Sequence, residues 1–173
     1  PGANMVGIAF PGTLILDRQG RVASRFLEED YVERNTTSSL LLNLGIGTTP
    51  VAARRIVTAQ ADITTFASDA QVSVGNRFSL IYDVAPRRGM HLYAPGATGY
   101  RVITPTIRPQ PFVTVGNVQY PPWEIYWFRP LDERVPVDQK PFRLIQEALI
   151  EGTAAAQKAL QGTEAIPIVG SLE

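Results

Sequence analysis

Apolar and polar residues alternate most regularly between residues 77 and 84. Apolar side chains occupy every second position of this stretch: Phe78, Leu80, Tyr82 and Val84. This is the period of a strand with one buried face and one wet face. A second apolar run, residues 90–93, is bounded by prolines and glycines, which force the backbone to turn. The pattern predicts that residues 77–84 and 90–93 form the central pair of strands in a β-rich fold.

The first quarter of the chain has the pattern of a hairpin followed by a short helix. Residues 13–27 consist of an apolar run, a turn with Asp first and Gly last, and an alternating run, which predicts a hairpin. Residues 38–44 carry leucines at helical spacing, and Gly45 follows them, which predicts a helix and its end. The preceding Asn35-Thr36-Thr37 matches the glycosylation acceptor pattern, but we interpret these residues as the helix cap.

A change of pattern at residues 45–51 marks the predicted domain junction. These residues lack periodicity and combine two glycines with a proline, a composition typical of linkers. We predict an N-terminal unit over residues 1–45, a linker over 46–54 and a second domain over 55–173. Pro105 is expected at an edge or a bulge of that domain, because proline donates no ladder hydrogen bond.

The second domain is predicted to consist almost entirely of strands. The predicted strands are residues 56–66, 77–84, 90–93, 102–107, 112–115, 120–128, 142–150 and 164–172. Residues 153–160 contain strong helix formers and are predicted to form a short surface helix. Short strands separated by Pro and Gly turns are typical of sandwiches. The predicted fold class is mainly β: an immunoglobulin-like β-sandwich preceded by a β-hairpin and a short helix.

Composition argues against several classes of function. Sixteen basic and sixteen acidic residues cancel, so no net field gathers nucleic acid. No apolar stretch approaches the length of about 18 residues that a spanning helix needs. The chain has no cysteine and a single histidine, which excludes thiolate catalysis and disulfides within these residues and argues against zinc sites and histidine-based triads. We predict no metal and no cofactor.

The most aromatic stretch, residues 120–128, contains candidate binding residues. Trp123, Tyr126 and Trp127 could form a binding surface, because Trp and Tyr dominate interface hot spots. Positions 123, 125 and 127 fall on one strand face, however, and we therefore expect this cluster to belong to the core and edge of the sandwich. The binding hypothesis requires the aromatic side chains to be exposed.

Two polar features have structural explanations as well as chemical ones. His91 could titrate near neutral pH or bind a metal with outside ligands, but a lone strand histidine is usually structural, and we prefer that interpretation. Glu28, Glu29 and Asp30 could share a proton or hold a cation. We prefer to interpret this run as a solvated acidic face at the end of a strand, and no opposing acid is present to complete a hydrolase site.

Residues 7–28, GIAFPGTLILDRQGRVASRFLE, resemble the last hairpin of the thioredoxin fold in the redoxin family, which includes peroxiredoxins of the AhpC/TSA type. In that family the proline that matches Pro11 is cis and faces the redox cysteine, so Pro11 is a candidate cis-proline. Residues 38–44 would be the closing helix. The resemblance implies that the catalytic cysteine and the first half of that fold precede Pro1.

Residues 87–96, RRGMHLYAPG, followed by Gly99-Tyr100, by YPP at residues 120–122 and by PFRL at residues 141–144, resemble a second family. This is the periplasmic, immunoglobulin-like N-terminal domain of the thiol–disulfide interchange protein DsbD. The resemblance covers most of residues 55–173. It implies that the final strand leads into a hairpin whose two cysteines shuttle electrons through a mixed disulfide.

The two resemblances together imply a piece of an extracytoplasmic, periplasmic thiol–disulfide protein of the peroxiredoxin type. The chain alone would be redox-inactive, and its own role would be to dock a thiol–disulfide redox partner. Two strands and a helix bury too little to fold alone, so we expect the N-terminal unit to pack on the sandwich or to form a homo-oligomer. The alternative is a non-enzymatic binding or adhesion sandwich that uses residues 120–128.

Overall fold

The computed structural model describes residues 12–27, 33–47 and 49–173. Within these residues the chain is mainly β, as predicted. The strands are β1 (Gly12–Leu16), β2 (Val22–Leu27), β3 (Arg34–Asn35), β4 (Val51–Val57), β5 (Ala61–Ala67), β6 (Asn76–Pro86), β7 (Leu92–Tyr93), β8 (Pro105–Ile107), β9 (Val113–Gln119), β10 (Glu124–Phe128), β11 (Glu133–Asp138), β12 (Phe142–Ile150) and β13 (Gly170–Leu172). The helices are α1 (Thr37–Asn43), α2 (Ala154–Leu160) and a 3-10 turn, Arg129–Leu131.

The largest sheet has six strands, with β6 at its centre. The order along the sheet is β4-β5-β6-β12-β9, and β3 pairs in parallel with the start of β6. β6 is antiparallel to β12 on one side and to β5 on the other. The predictions of a central strand over residues 77–84 and of a strand over residues 142–150 are confirmed.

The predicted partner of this central strand is wrong. β7, within the run 90–93, pairs with β11 in a three-stranded sheet of order β10-β11-β7. Because β5 and β12 occupy both sides of β6, β7 has no free edge of β6 to join. The turn after β6 therefore leads into a different sheet.

The main core covers one face of the six-stranded sheet. Its buried members are Ala61, Ile63, Phe78, Leu80, Tyr82, Val84, Ile103, Leu144, Ala148 and Ile150. Side chains of a second layer pack against them, including Leu92, Ile107, Leu160 and Leu172. This two-layer arrangement is that of a β-sandwich.

Helix α1 covers the opposite face of the same sheet. Leu42 packs with Phe66 and Ile81, and the buried hydroxyls of Ser39 and Ser79 lie 2.9 Å apart. Residues 33–43 are thus in contact with the sheet. The predicted domain junction after residue 45 stays a prediction.

Helix α1 begins and ends as the sequence predicts. The Thr36 side chain accepts a hydrogen bond from the Ser39 amide, which satisfies one of the free donors of the first turn. Gly45 has a φ of +73°, a conformation that glycine adopts without strain. The amides of Gly45 and Ile46 donate to the carbonyls of the last helical turn, as in a Schellman motif. The cap and helix predictions are confirmed.

Replacing Ser39 with alanine is expected to lower the free energy of unfolding by about 1–3 kcal/mol, because the buried hydroxyl of Ser79 loses its partner. The double variant Ser39→Ala with Ser79→Ala is expected to lose no more than the single variant, since both polar groups are then gone. Urea unfolding measures the free energy of unfolding of both variants. A single variant as stable as the wild type would mean that α1 does not pack on the sheet in this way.

The predicted single strand over residues 56–66 is wrong, because the chain turns back within it. β4 and β5 are antiparallel neighbours. The Thr58 hydroxyl accepts hydrogen bonds from the amides of Gln60 and Ala61, so a threonine makes a turn that contains neither Gly nor Pro. β4 begins at Val51, and it therefore occupies the second half of the predicted linker, 46–54.

Four predicted strands are shorter than expected, and β11 corresponds to no predicted strand. Residues 90–93, 102–107, 120–128 and 164–172 contribute only β7, β8, β10 and β13. β11, ERVPVD, contains a proline and three charged residues, which obscure its alternation. Pro105 lies in the two-stranded sheet β13-β8, where every strand is an edge, as expected. The predicted helix at residues 153–160 is confirmed as α2, with Thr153 as its N-cap.

The predicted N-terminal hairpin is confirmed. β1 and β2 pair antiparallel, and the Asp17 carboxylate accepts hydrogen bonds from the amides of Gln19 and Arg21 in the turn. The hairpin forms a two-stranded sheet of its own. It leaves four aliphatic side chains more than half exposed: Leu14, Leu16, Val22 and Leu27. Two isolated strands are marginally stable in water, so this hairpin presents apolar surface that a partner can cover.

Candidate docking surface

The three-stranded sheet presents its aromatic edge strand to solvent. Trp123 is 43% exposed, Ile125 63% and Trp127 46%. Alternation along β10 places Ile125 and Trp127 on one face, as predicted, but that face is wet. The expected placement at the edge of the sandwich is confirmed, because β10 is the end strand of its sheet. The expected placement in the core is wrong for Trp123 and Trp127, which are exposed. From residues 120–128, Tyr120 packs against the main core instead.

Trp127 is held in place by three neighbours. Its indole N–H donates to Asp132 Oδ1 at 3.0 Å. The guanidinium carbons of Arg129 and Arg134 lie 5.1 and 5.5 Å from the indole centroid, within the range of cation–π attraction. Arg134 is also the residue opposite Trp127 in the β10–β11 register. The ring is thus fixed before any partner arrives, which lowers the entropic cost of binding.

Tyr126 and His91 lie together, but on the other face of the strand from Trp127. The His91 ring is 5.0 Å from the Tyr126 ring and 5.2 Å from the Tyr93 ring. Tyr93 stacks on Tyr100 at 4.2 Å. The four rings form a packed aromatic cluster, so the structure brings His91 and Tyr126 together and separates both from the indole of Trp127.

Glu133 closes this aromatic cluster at one end. The Tyr100 hydroxyl donates to Glu133 Oε2 at 2.5 Å. This hydrogen bond, aided by desolvation and by the negative charge, raises the pKa of Tyr100 to about 12. Tyr100 therefore stays protonated near neutral pH and acts as a hydrogen-bond donor that orients the cluster.

Asp138 is a buried acidic residue of β11 that the sequence did not identify as a candidate site residue. It is only 7% exposed, and its Oδ2 atom has no hydrogen-bond partner among the described residues. Burial, and then the charge of Glu124, raise its pKa above the ordinary value. Glu124 is itself paired with Lys140 at 2.5 Å. A single acidic residue after an apolar position carries no sequence signal of burial, so only the fold identifies it.

Replacing Asp138 with asparagine is expected to stabilise the protein relative to the wild type increasingly as pH rises. The folded-state pKa is raised, so the folded state holds its proton where the unfolded state has lost it, and wild-type stability falls as pH rises through this window. The stability difference between variant and wild type should therefore be larger at pH 7 than at pH 3. Urea unfolding at both pH values measures it, and a difference independent of pH would contradict the burial of the charged form.

A cleft of about 1000 Å³ lies beside the main core. Its walls include core residues of β6 and the extended segment over residues 163–172, for example Leu80, Tyr82, Ile166 and Ile168. The cleft offers mainly apolar walls, whereas β10 combines fixed aromatic rings with guanidinium groups. Rings and cations are the groups that anchor protein partners, so β10 is the stronger candidate surface.

Some predicted site residues lie outside the described residues. These are the candidate cis-proline Pro11 and the carboxylates Glu28, Glu29 and Asp30. The described residues contain no group of three or more side chains able to hold a metal ion.

Neither α-helix of the described residues has the length and apolar character needed to cross a bilayer. Comparisons of the chain with protein-family models, with curated proteins and with solved structures find no match. Its function is therefore inferred from the surface described above and from the sequence resemblances.

Proposed function

We propose that the chain is the partner-docking part of an extracytoplasmic thiol–disulfide protein, and that its immunoglobulin-like sandwich binds a thioredoxin-fold partner. The observation that carries the docking role is the exposed row of Trp123, Ile125 and Trp127 beside two arginines. Trp and Arg are enriched among the residues that dominate binding energy. A surface of this composition, fixed by its own contacts, favours a protein partner.

The redox assignment rests on the two resemblances. The order of elements supports it, since the hairpin β1–β2 is followed by α1 and then by a mainly β body. The chain has no cysteine, so thiolate attack on a disulfide belongs to residues outside it. In this proposal the chain alone is not the enzyme, and the resemblance to periplasmic domains supports a location outside the cytoplasm.

Sequencing the coding region on both sides of this segment tests the redox assignment. A cysteine-bearing thioredoxin-like half before Pro1 and a two-cysteine hairpin after Glu173 are the expected result. An open reading frame that supplies no cysteine on either side would remove the redox role. The docking surface would then need a different partner.

A second candidate function, carbohydrate binding or adhesion, is favoured by one observation. Trp123 and Trp127 are exposed, and flat exposed rings also suit stacking on sugars. Titration with soluble oligosaccharides, followed by tryptophan fluorescence, separates the two candidates. Saturable quenching by a sugar, with no response to a thioredoxin-fold protein, would favour this second function.

The exposed hairpin supports self-association as a further part of the proposal. Replacing Leu14 and Leu16 with serine is expected to shift the protein from a homo-oligomer to a monomer. These side chains are more than half exposed in the single chain, and exposed apolar surface of this kind favours association. Sedimentation velocity measures the change. The matched control replaces Ile56 and Val57, which are exposed on β4, with serine. This control variant should remain a homo-oligomer. A wild-type monomer would contradict this role of the hairpin.

A further inference from the structure

The outer edge of β10 lacks the usual protection against strand pairing. β10 is the end strand of its sheet, and its described pairing is with β11 alone. Its register with β11 is regular over all five residue pairs. Four of its five residues are aromatic or aliphatic: Ile125, Tyr126, Trp127 and Phe128. Exposed edges in natural proteins are usually blunted by charges, prolines or bulges, and the interior of β10 carries none of these.

The two edges of the six-stranded sheet do carry such protection. On β4 the register shifts around Ala52, whose φ is +50°, and Arg54 and Arg55 follow after Ala53. On β9 the register with β12 shifts opposite residues 146–148. Bulges and adjacent charges of this kind disfavour the addition of another strand. The contrast indicates that β10 is an edge open to pairing.

Two arginines lie beside the β10 edge. Arg129 and Arg134 flank Trp127, and neither guanidinium forms an ion pair with a carboxylate of the described residues. At the other end of β10, Glu124 is already paired with Lys140. A partner that approaches this edge therefore meets two guanidinium groups without ion pairs at the Trp127 end, where the Asp132 carboxylate already accepts the indole N–H. Arginine binds carboxylates with strong, directional hydrogen bonds.

We infer that β10 binds an extended segment of its partner by strand addition, and that this segment carries a carboxylate side chain facing Arg129 and Arg134. The inference rests on the docking role proposed above and names the kind of segment that docks. In strand addition, main-chain hydrogen bonds supply affinity and alternate side chains supply specificity. An apolar residue on the same face of the segment packs on Ile125 and on the indoles.

The probe is a terminally blocked peptide about nine residues long, so that it spans a typical strand, with threonine at every second position and valine and glutamate in turn at the positions between. Alternate residues of a strand share a face, so valine and glutamate lie together on one face of this probe. Peptides with lysine or glutamine in place of glutamate are its matched controls. Calorimetric titration is expected to show the glutamate peptide binding roughly tenfold more tightly than the lysine peptide, a difference expected for charge complementarity. The double variant Arg129→Gln with Arg134→Gln is expected to remove this preference for the glutamate peptide over the lysine peptide. Equal binding of the glutamate and lysine peptides to the wild type overturns the carboxylate assignment.

Amide methylation of the probe tests strand addition itself. One peptide is methylated on the amides of all threonines, the other on the amides of all valines and glutamates. Because only one edge of an added strand faces β10, and alternate residues point their amides to opposite edges, one methylated peptide should lose binding and the other should keep it. Two methylated peptides that bind alike, or an unmodified peptide that does not bind, overturn strand addition.

The tryptophan double variant and the peptide titrations together show whether strand addition alone is wrong or the docking role is wrong as well. If Trp123→Ala with Trp127→Ala abolishes binding of a thioredoxin-fold partner while no peptide binds β10, docking stands and strand addition is wrong. If the tryptophan variant binds that partner normally, the docking role itself is wrong.

Discussion

Replacing Leu144 with alanine is expected to lower the free energy of unfolding by about 2–5 kcal/mol. Leu144 lies on β12, beside the central strand, and is 0% exposed. It is opposite Tyr82 in the register of β12 and β6, and both side chains belong to the main core. The change removes apolar contacts and leaves a cavity that the surrounding sheet fills only in part. Equilibrium urea unfolding measures the loss.

A leucine outside the core provides the matched control. Leu131 is 69% exposed, and Leu131→Ala is expected to change stability by about 0.5 kcal/mol or less. Equal losses for the two variants would contradict the placement of the core between β6, β12 and the second layer. A loss confined to Leu144→Ala supports it.

The double variant Trp123→Ala with Trp127→Ala is expected to weaken binding of a thioredoxin-fold partner by roughly 30-fold or more, the loss typical of hot-spot side chains. Both indoles are more than two-fifths exposed, so their removal creates no core cavity. Stability should therefore change little, and binding should change greatly. Calorimetric titration with the purified partner measures the affinity.

Val57 provides the control for this binding experiment. It is 59% exposed on β4, in the six-stranded sheet rather than in the sheet of β10. Val57→Ala is expected to leave the affinity unchanged. If both variants bind the partner as tightly as the wild type, the docking surface does not include β10.

Elements with local causes could be predicted from the sequence. The cap at Thr36, the glycine that ends α1 and the alternation of β6 each follow from neighbouring residues, and the structure has all three. The turn at Thr58 is also local, but it depends on a side-chain hydroxyl rather than on glycine or proline. A search for glycine and proline therefore does not detect this turn.

Pairing between distant segments could not be predicted in the same way. β7 joins β11, about 45 residues later in the chain, because β6 already has two neighbours, and no local pattern contains that information. The exposure of Trp123 and Trp127 has the same origin. Alternation places side chains on a common face, but which face is covered depends on where the second layer comes from.

The surface chemistry of β10 likewise depends on register. Trp127 meets Arg134 because the two residues are opposite each other in the β10–β11 pair. Asp138 is buried because β11 is the middle strand of its sheet. The contact between Trp127 and Arg134 and the burial of Asp138 could be found only from the structure. The candidate residues Trp123, Tyr126 and Trp127, in contrast, could be selected from residue type alone.

Hydrogen–deuterium exchange of the chain, with and without a saturating thioredoxin-fold partner, tests the docking surface most directly. We predict that the partner slows amide exchange over β10 and β11 and leaves β4 and β9 unchanged. The exposed Trp127 and the free edge lie on β10, and the exposed Trp123 directly precedes it. Slower exchange at β4, at β9 or in the hairpin β1–β2, with none at β10, would contradict the proposed docking surface.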